Sequence, residues 1–214
     1  YYFYDEVVDD DSEPDTPDET VIQQSVFTRR GTERIIRYAF EYARKHGLDK
    51  VMSATKSNAL NYSMVFWAKV YREVSAAYPG MTASQMHIDA LSGYFIMHPD
   101  RLQVVVASNL FGDILTDLGS AMLGSIGISP SANLNPEGRF PSMFEPIHGS
   151  APDIAGRGIA NPVGTLWAAA MMLEHLGLNA EAGLVLAAGR VRTPDIGGTS
   201  ATAEVADAVI EALE

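Results

Sequence analysis

Segments with the character of strands and helices alternate between residues 50 and 123, and this alternation limits the fold more than any other feature of the chain. Short apolar strands are predicted at 50–55 and 102–107. Longer amphipathic helices are predicted at 64–78, 89–98 and 112–123. Such an order is typical of parallel strands that are covered by helices. We therefore expect an α/β fold whose ligands bind where strands stop and helices begin.

The segments on either side of this region are less regular. Before it we expect an exposed acidic loop at 9–19, a strand at 20–27 and a helix at 32–46. After Gly124 the chain is rich in Gly, Ser, Pro and Asn as far as residue 136, which predicts a domain boundary near 124. Beyond it we predict one strand at 142–145 and a glycine-rich loop at 148–158. Three helices are predicted to follow, at 162–176, 180–189 and 203–213.

Composition excludes several classes of protein. With 214 residues, of which 47% are hydrophobic, the chain can bury a core in one large or two small domains. A net charge of -12 argues against nucleic-acid binding, and the absence of cysteine excludes disulfides and thiolate sites. No membrane-spanning run or signal peptide is visible, so a cytoplasmic protein is expected. The first residue is Tyr1, as expected of a fragment, a partial gene product or a processed chain.

Two carboxylates, Asp113 and Asp117, lie four residues apart after the apolar run 104–107. On a helix they would share one face, and like charges at this spacing repel each other. The helix dipole could reduce this repulsion if both residues were near the N-terminus. A hard divalent cation, Mg²⁺ or Mn²⁺, would also reduce it, because such ions prefer oxygen ligands. Spacing alone leaves open whether this is a metal site or a solvated acidic first turn.

A loop of small residues at 148–156 has the composition of a segment whose backbone approaches a ligand closely. Its glycines do not have the spacing of the Rossmann fingerprint. Taken alone, the loop is better interpreted as a glycine-rich surface turn than as a ligand site.

Several separated motifs, in order, resemble the β-decarboxylating dehydrogenases of 2-hydroxy acids, the family of isocitrate, 3-isopropylmalate, tartrate and D-malate dehydrogenases. The strongest are 109–117 (Asn-Leu-Phe-Gly-Asp-Ile-Leu-Thr-Asp) and 145–162 (Glu-Pro-Ile-His-Gly-Ser-Ala-Pro-Asp-Ile-Ala-Gly-Arg-Gly-Ile-Ala-Asn-Pro). The tartrate/D-malate branch is resembled most, through 25–31 (Ser-Val-Phe-Thr-Arg-Arg-Gly), 53–58 (Ser-Ala-Thr-Lys-Ser-Asn), 131–136 (Ser-Ala-Asn-Leu-Asn-Pro) and 164–173 (Gly-Thr-Leu-Trp-Ala-Ala-Ala-Met-Met-Leu).

The resemblance implies an isocitrate/isopropylmalate dehydrogenase-like α/β fold with parallel or mixed sheets, flanking helices and a non-Rossmann dinucleotide site. It implies a small domain at 1–124, for dimerisation, metal binding and catalysis, and the C-terminal part of a large, dinucleotide-binding domain at 125–214. Helices 89–98 and 109–123 are candidates for the dimer interface, because they carry more apolar residues than one sheet face needs.

The resemblance also implies roles for individual residues. The metal carboxylates would be Asp89, Asp113 and Asp117, with Asp89 serving the site of the neighbouring subunit of a homodimer. Lys56 would be the catalytic lysine that helps to take the substrate hydroxyl proton, and Asp113 would act beside it. Without the resemblance, Lys56 would be interpreted as a solvated loop lysine.

By the same resemblance, NAD is held by residues of the second strong motif: Glu145, His148, Gly149, Ser150, Ala151, Asp153, Ile154 and Asn161. His148 and Asn161 would lie near the adenine, and Ser150 near the phosphate and ribose. Asp153 would accept hydrogen bonds from the adenosine ribose, which favours NAD over NADP because a carboxylate repels a 2′-phosphate.

The resemblance predicts metal- and NAD-dependent oxidative decarboxylation of a small, D-malate- or tartrate-like 2-hydroxy acid. The alternatives are 3-isopropylmalate or isocitrate as substrate, or a non-catalytic fragment or regulatory subunit. The family segment that carries the substrate-binding arginines has no counterpart here, and Arg29 and Arg30 are interpreted as structural. The catalytic tyrosine of the family is left unassigned among Tyr1, Tyr2 and Tyr4.

Overall fold

The structure is a computed structural model that describes residues 2–4, 16–17, 23–187 and 192–213. Its strands are β1 (Tyr2–Tyr4), β2 (Gln24–Val26), β3 (Lys50–Thr55), β4 (Thr82–His87), β5 (Val104–Val106), β6 (Pro130–Asn133) and β7 (Met143–Pro146). Its α-helices are α1 (Arg29–Lys45), α2 (Ser63–Ser75), α3 (Ile88–Met97), α4 (Asn109–Met122), α5 (Val163–His175), α6 (Asn179–Ala187) and α7 (Thr202–Leu213). Short 3₁₀ turns occur at Pro99–Arg101, Ile126–Ile128 and Pro194–Ile196.

The chain forms two compact units, Tyr1–Leu115 and Thr116–Glu214. The assignment of 1–124 and 125–214 to the two domains of the family stays a prediction. Apart from residues 16 and 17, the predicted acidic loop lies outside the described residues, as does Tyr1. In the described part of the chain, no helix combines the length and the apolar character needed to cross a membrane.

A three-stranded parallel sheet in the order β4-β3-β5 forms the centre of the first unit. This confirms the parallel arrangement that the alternating segments predict. The sheet packs against α1 and α2, whose apolar faces bury Ile36, Phe40 and Tyr71 against Val51 of β3. α1 starts before the predicted position because the Thr28 hydroxyl caps it by accepting a hydrogen bond from the Gly31 amide at 3.1 Å.

In the second unit, the segment 126–136 is more regular than its Gly- and Pro-rich composition predicts. It contains β6, which pairs antiparallel with β7 and was missed by the prediction of a single strand. Pro130 occupies the first position of β6, where a strand tolerates proline. Among the strands that the structure describes, β6 pairs with β7 only, and this pairing, not local composition, establishes it.

Tyr71 links α2 to the central sheet. Its hydroxyl donates a 2.6 Å hydrogen bond to the Val51 carbonyl, and burial raises the pKa of Tyr71 to about 12. We expect Tyr71→Phe to lower the free energy of unfolding by roughly 1–3 kcal/mol, because it leaves a buried acceptor without this partner. Tyr62→Phe is the control, since Tyr62 is 92% exposed and should change stability by less than about 0.5 kcal/mol. Urea unfolding of both variants measures the difference, and equal stabilities would contradict the expectation.

Candidate active site

Lys56 and Asp89 meet at the carboxyl edge of the parallel sheet. The register of β3 and β4 pairs Thr55 with His87, so the residues that follow both strands leave the sheet side by side. Lys56 Nζ lies 2.8 Å from Asp89 Oδ1, and the two side chains are 25% and 65% exposed. The hydrogen bond from Lys56 lowers the pKa of the Asp89 carboxyl, which is therefore ionised at neutral pH. The sheet thus brings together two residues that the sequence predicts for catalysis and metal binding.

A second polar pair lies at the same edge and was not predicted from the sequence. Ser57 Oγ is 3.4 Å from His87 Nε2, and both side chains are partly buried. The two residues are 30 positions apart. Only the pairing of β3 with β4 could have indicated that they meet.

Asp113 and Asp117 lie on α4 one turn apart, and both are exposed. Because α4 begins at Asn109, its first turn contains no acidic residue, so the interpretation of the pair as an acidic first turn is wrong. The helix dipole weakens beyond the first turn and relieves little of the repulsion between these carboxylates. A pair of exposed carboxylates on one helix face remains, and its oxygens fit a hard divalent cation.

Within the described residues, no group of three or more His, Cys, Asp or Glu side chains is arranged to hold a metal ion. Asp89, Asp113 and Asp117 therefore do not form a ligand set in this part of a single chain. That Asp89 joins the other two across a dimer stays a prediction.

The glycine-rich loop after β7 is held by backbone turns. The Ile154 amide donates to the Ala151 carbonyl at 3.1 Å, and Ala151 has a φ of 43°, the one positive value at a non-glycine position among the described residues. His148 Nδ1 lies 2.9 Å from the Gly149 carbonyl. A carbonyl can only accept, so Nδ1 carries the proton of this hydrogen bond. Asp153 is exposed in this loop, where its carboxylate can accept hydrogen bonds from a ligand.

Asn161 ends this loop, and its side chain is already engaged within the protein. It is 7% exposed. Its Oδ1 accepts a 3.0 Å hydrogen bond from the Val163 amide at the start of α5, and its Nδ2 donates at 3.0 Å to Asp195 Oδ2. The structure therefore shows a structural use of this side-chain amide, and its place near the adenine stays a prediction.

Asp195 collects three hydrogen bonds and was not singled out in the sequence. Besides Asn161, the Ser125 hydroxyl donates to Oδ2 and the Thr193 hydroxyl donates to Oδ1 at 2.5 Å. Partial burial acts to raise the pKa of Asp195, but these hydrogen bonds outweigh it and lower the pKa below its usual value. The donors come from three separate segments, so no local pattern could have indicated this site.

Most of the chain matches the model of a known protein family. The model for isocitrate/isopropylmalate dehydrogenase matches residues 1–209. This chain belongs to the isocitrate/isopropylmalate dehydrogenase family. The predicted family and the α/β fold that it implies are thereby confirmed.

Individual members of the isocitrate/isopropylmalate dehydrogenase family are also similar. The chain is 52% identical over 202 residues to a probable tartrate dehydrogenase/decarboxylase of Bacillus subtilis (strain 168), covering 92% of this chain and 57% of that protein. It is 52% identical over 209 residues to the D-malate dehydrogenase [decarboxylating] of Escherichia coli (strain K12), covering 92% of this chain and 58% of that protein. The crystal structure of isocitrate dehydrogenase from Methylococcus capsulatus matches with a TM-score of 0.87 and 39% identity, covering 92% of this chain and 60% of that chain. The chain thus spans less than two thirds of these relatives.

Proposed function

We propose that the protein oxidises and decarboxylates a small, D-malate- or tartrate-like 2-hydroxy acid, with NAD and a divalent metal ion as cofactors. The names of the relatives that are about half identical support this substrate class. The observation that carries the proposal is the ion pair between Lys56 and Asp89 at the edge of the sheet where α/β proteins bind ligands.

Asp113 and Asp117 are proposed to hold the metal ion, together with the partner subunit's Asp89. The donor set fits, because it consists of carboxylate oxygens without thiolate or imidazole, as Mg²⁺ and Mn²⁺ prefer. A bound divalent ion would polarise the hydroxyl and carboxylate of the substrate and stabilise the negative charge that develops during loss of CO₂.

Lys56 is proposed to take the proton of the substrate hydroxyl. Its side chain is three-quarters buried, which limits the positions that the amine can adopt. The hydrogen bond to Asp89 further restricts Nζ, so the amine is oriented before the substrate arrives. The ion pair holds Lys56 as an ammonium, so the amine can act as a base only after it releases that proton, which a divalent cation held beside it would favour by electrostatic repulsion. A general base must also lie within hydrogen-bond reach of the proton that it removes, and the orientation of Nζ serves that requirement.

The loop from His148 to Asn161 is proposed to bind NAD, whose nicotinamide would accept the hydride from the substrate carbon. Ala151 with its positive φ and the neighbouring Gly149 and Ser150 leave the backbone accessible to a phosphate. The exposed carboxylate of Asp153 can accept hydrogen bonds from both ribose hydroxyls and repels a 2′-phosphate, which supports NAD over NADP.

A second copy of this chain is proposed as the partner of α3 and α4. Ile96 and Met97 at the end of α3 are 55% and 67% exposed, and Leu110 and Ile114 on α4 are 52% and 49% exposed. Apolar side chains of this size at such exposure favour burial against another protein surface. A symmetric dimer would bury the same residues on both subunits.

Titration calorimetry with Mn²⁺ and NAD, followed by absorbance of reduced nicotinamide, tests the proposal. We expect both to bind and the absorbance to rise with D-malate or tartrate in the presence of both. A higher rate with 3-isopropylmalate or isocitrate would identify that acid as the substrate, within the same enzyme family. Binding of both without turnover of any of the four acids would instead support a binding module, and binding of neither would refute the proposed function.

A further inference from the structure

The end of the glycine-rich loop has little conformational restraint of its own. Gly156 and Gly158 both adopt positive φ, at 77° and 64°, and glycine has more backbone freedom than any other residue. Residues 158–161 contain no α-helix or strand. Hydrogen bonds from elsewhere in the chain also hold these residues.

Those hydrogen bonds come from the C-terminal part of the second unit. The Thr202 amide donates to the Gly158 carbonyl at 2.9 Å, and the Thr202 hydroxyl donates to the Ala160 carbonyl at 2.5 Å. Asp195 accepts from the Asn161 amide at 3.0 Å. We call Asp195 and Thr202 the C-terminal clamp, because together they hold three of the four residues from 158 to 161.

The C-terminal clamp is itself fixed in place. Thr193 is fully buried and donates to Asp195 Oδ1, and Ser125 donates to the other oxygen of the same carboxylate, Oδ2. Ala201, next to Thr202, donates its amide to Glu204 in the first turn of α7 at 2.8 Å. The clamp therefore connects α7 and the Pro194–Ile196 turn to the end of the loop.

We infer that Asp195 and Thr202 are positioning residues for the adenine half of the dinucleotide site. This inference rests on the proposed binding of NAD to the loop that ends at Asn161. A loop end that is held in its binding conformation loses less conformational entropy when the ligand binds, so affinity rises without a direct contact between clamp and ligand. The Asn161 side chain is engaged by the clamp and by α5, so it has no freedom to move toward the ligand.

The test compares two matched pairs of variants in the intact protein. Thr202→Val removes the hydroxyl donor and keeps the shape, whereas Thr202→Ser keeps the donor. Asp195→Ala removes the acceptor, whereas Asp195→Asn can still accept from Asn161 while its amide donates to the Thr193 hydroxyl. We expect Thr202→Val, which removes one hydrogen bond, to raise the Kd for NAD and for AMP about tenfold. Asp195→Ala removes three hydrogen bonds and should raise both Kd values at least as much. The serine and asparagine variants should stay within about twofold of the unchanged protein.

Two further measurements separate positioning from general loss of structure. The Kd for Mn²⁺ should not change in any of the four variants, and hydrogen exchange of the amides from 158 to 161 should accelerate in Thr202→Val but not in Thr202→Ser. Unchanged NAD and AMP affinity despite faster exchange would overturn the inference while leaving the proposed function intact. So would a weakened Mn²⁺ affinity that accompanies the loss of NAD affinity. Failure of the unchanged protein to bind NAD would overturn both.

Discussion

Replacement of Asp113 by Asn is expected to abolish metal-dependent activity while the protein keeps its fold. The substitution retains the size of the side chain but replaces a carboxylate oxygen by an amide, which is a weaker ligand for a hard cation. Because such a cation contributes several kcal/mol to transition-state stabilisation, kcat/KM should fall at least about a thousandfold. Asp113 is exposed on α4, so its replacement should leave the midpoint of the unfolding transition of the metal-free protein unchanged.

A matched control comes from another helical aspartate. Asp207 is exposed on α7, and Asp207→Asn removes the same charge without touching the proposed metal site. Steady-state rates over a range of Mn²⁺ concentrations distinguish the two variants. Equal activities of the two variants would remove Asp113 from the site.

Mixing of variants tests whether two subunits share the site. If Asp89 serves the neighbouring subunit, Asp89→Asn and Asp113→Asn should each be inactive alone. After joint unfolding and refolding, half of the dimers would be mixed, and each mixed dimer would regain one complete site. Activity should therefore return to about a quarter of that of the unchanged protein. No recovery from a mixture that does form mixed dimers would show that the aspartates act within one subunit.

Gly164→Ala is expected to destabilise the second unit. Gly164 lies in the first turn of α5, where a Cβ atom would be 2.8 Å from the Gly127 carbonyl oxygen and 3.0 Å from that of Ser129. Both neighbours are backbone atoms, so relief requires α5 to move away from the segment that leads into β6. Overpacking of this kind costs roughly 1–3 kcal/mol, which urea unfolding can measure.

The same substitution at Gly183 is the control and should act in the opposite direction. Gly183 lies inside α6 and is exposed, and a Cβ atom added there would meet nothing within 4 Å beyond its chain neighbours and the backbone of its own helix. Alanine there should stabilise the helix by roughly 0.5–1 kcal/mol, because it reduces the freedom of the unfolded chain. If both substitutions change stability in the same direction, close packing at Gly164 is not what requires glycine.

Features that depend on residues close together in the chain were predictable from the sequence. The periodicity of 50–55 gave β3 with the observed bounds, and the helix predicted at 203–213 is observed as α7 from Thr202 to Leu213. The family could be inferred because its motifs are short, contiguous and ordered along the chain, and the match over residues 1–209 confirms it. Predictions failed where a partner strand decides, as for β6, or where a cap moves a helix start, as for α1.

By itself, the sequence determined the alternation of strands and helices, the family, and the residue types that the proposed chemistry needs. The tertiary structure alone decided that Lys56 reaches Asp89 and that Asp195 and Thr202 hold the end of the glycine-rich loop. The physical reason is that periodicity and turn chemistry act over a few residues, whereas these contacts join positions 33 to 44 residues apart. Their geometry follows from strand register and helix packing, which no short stretch of the chain encodes.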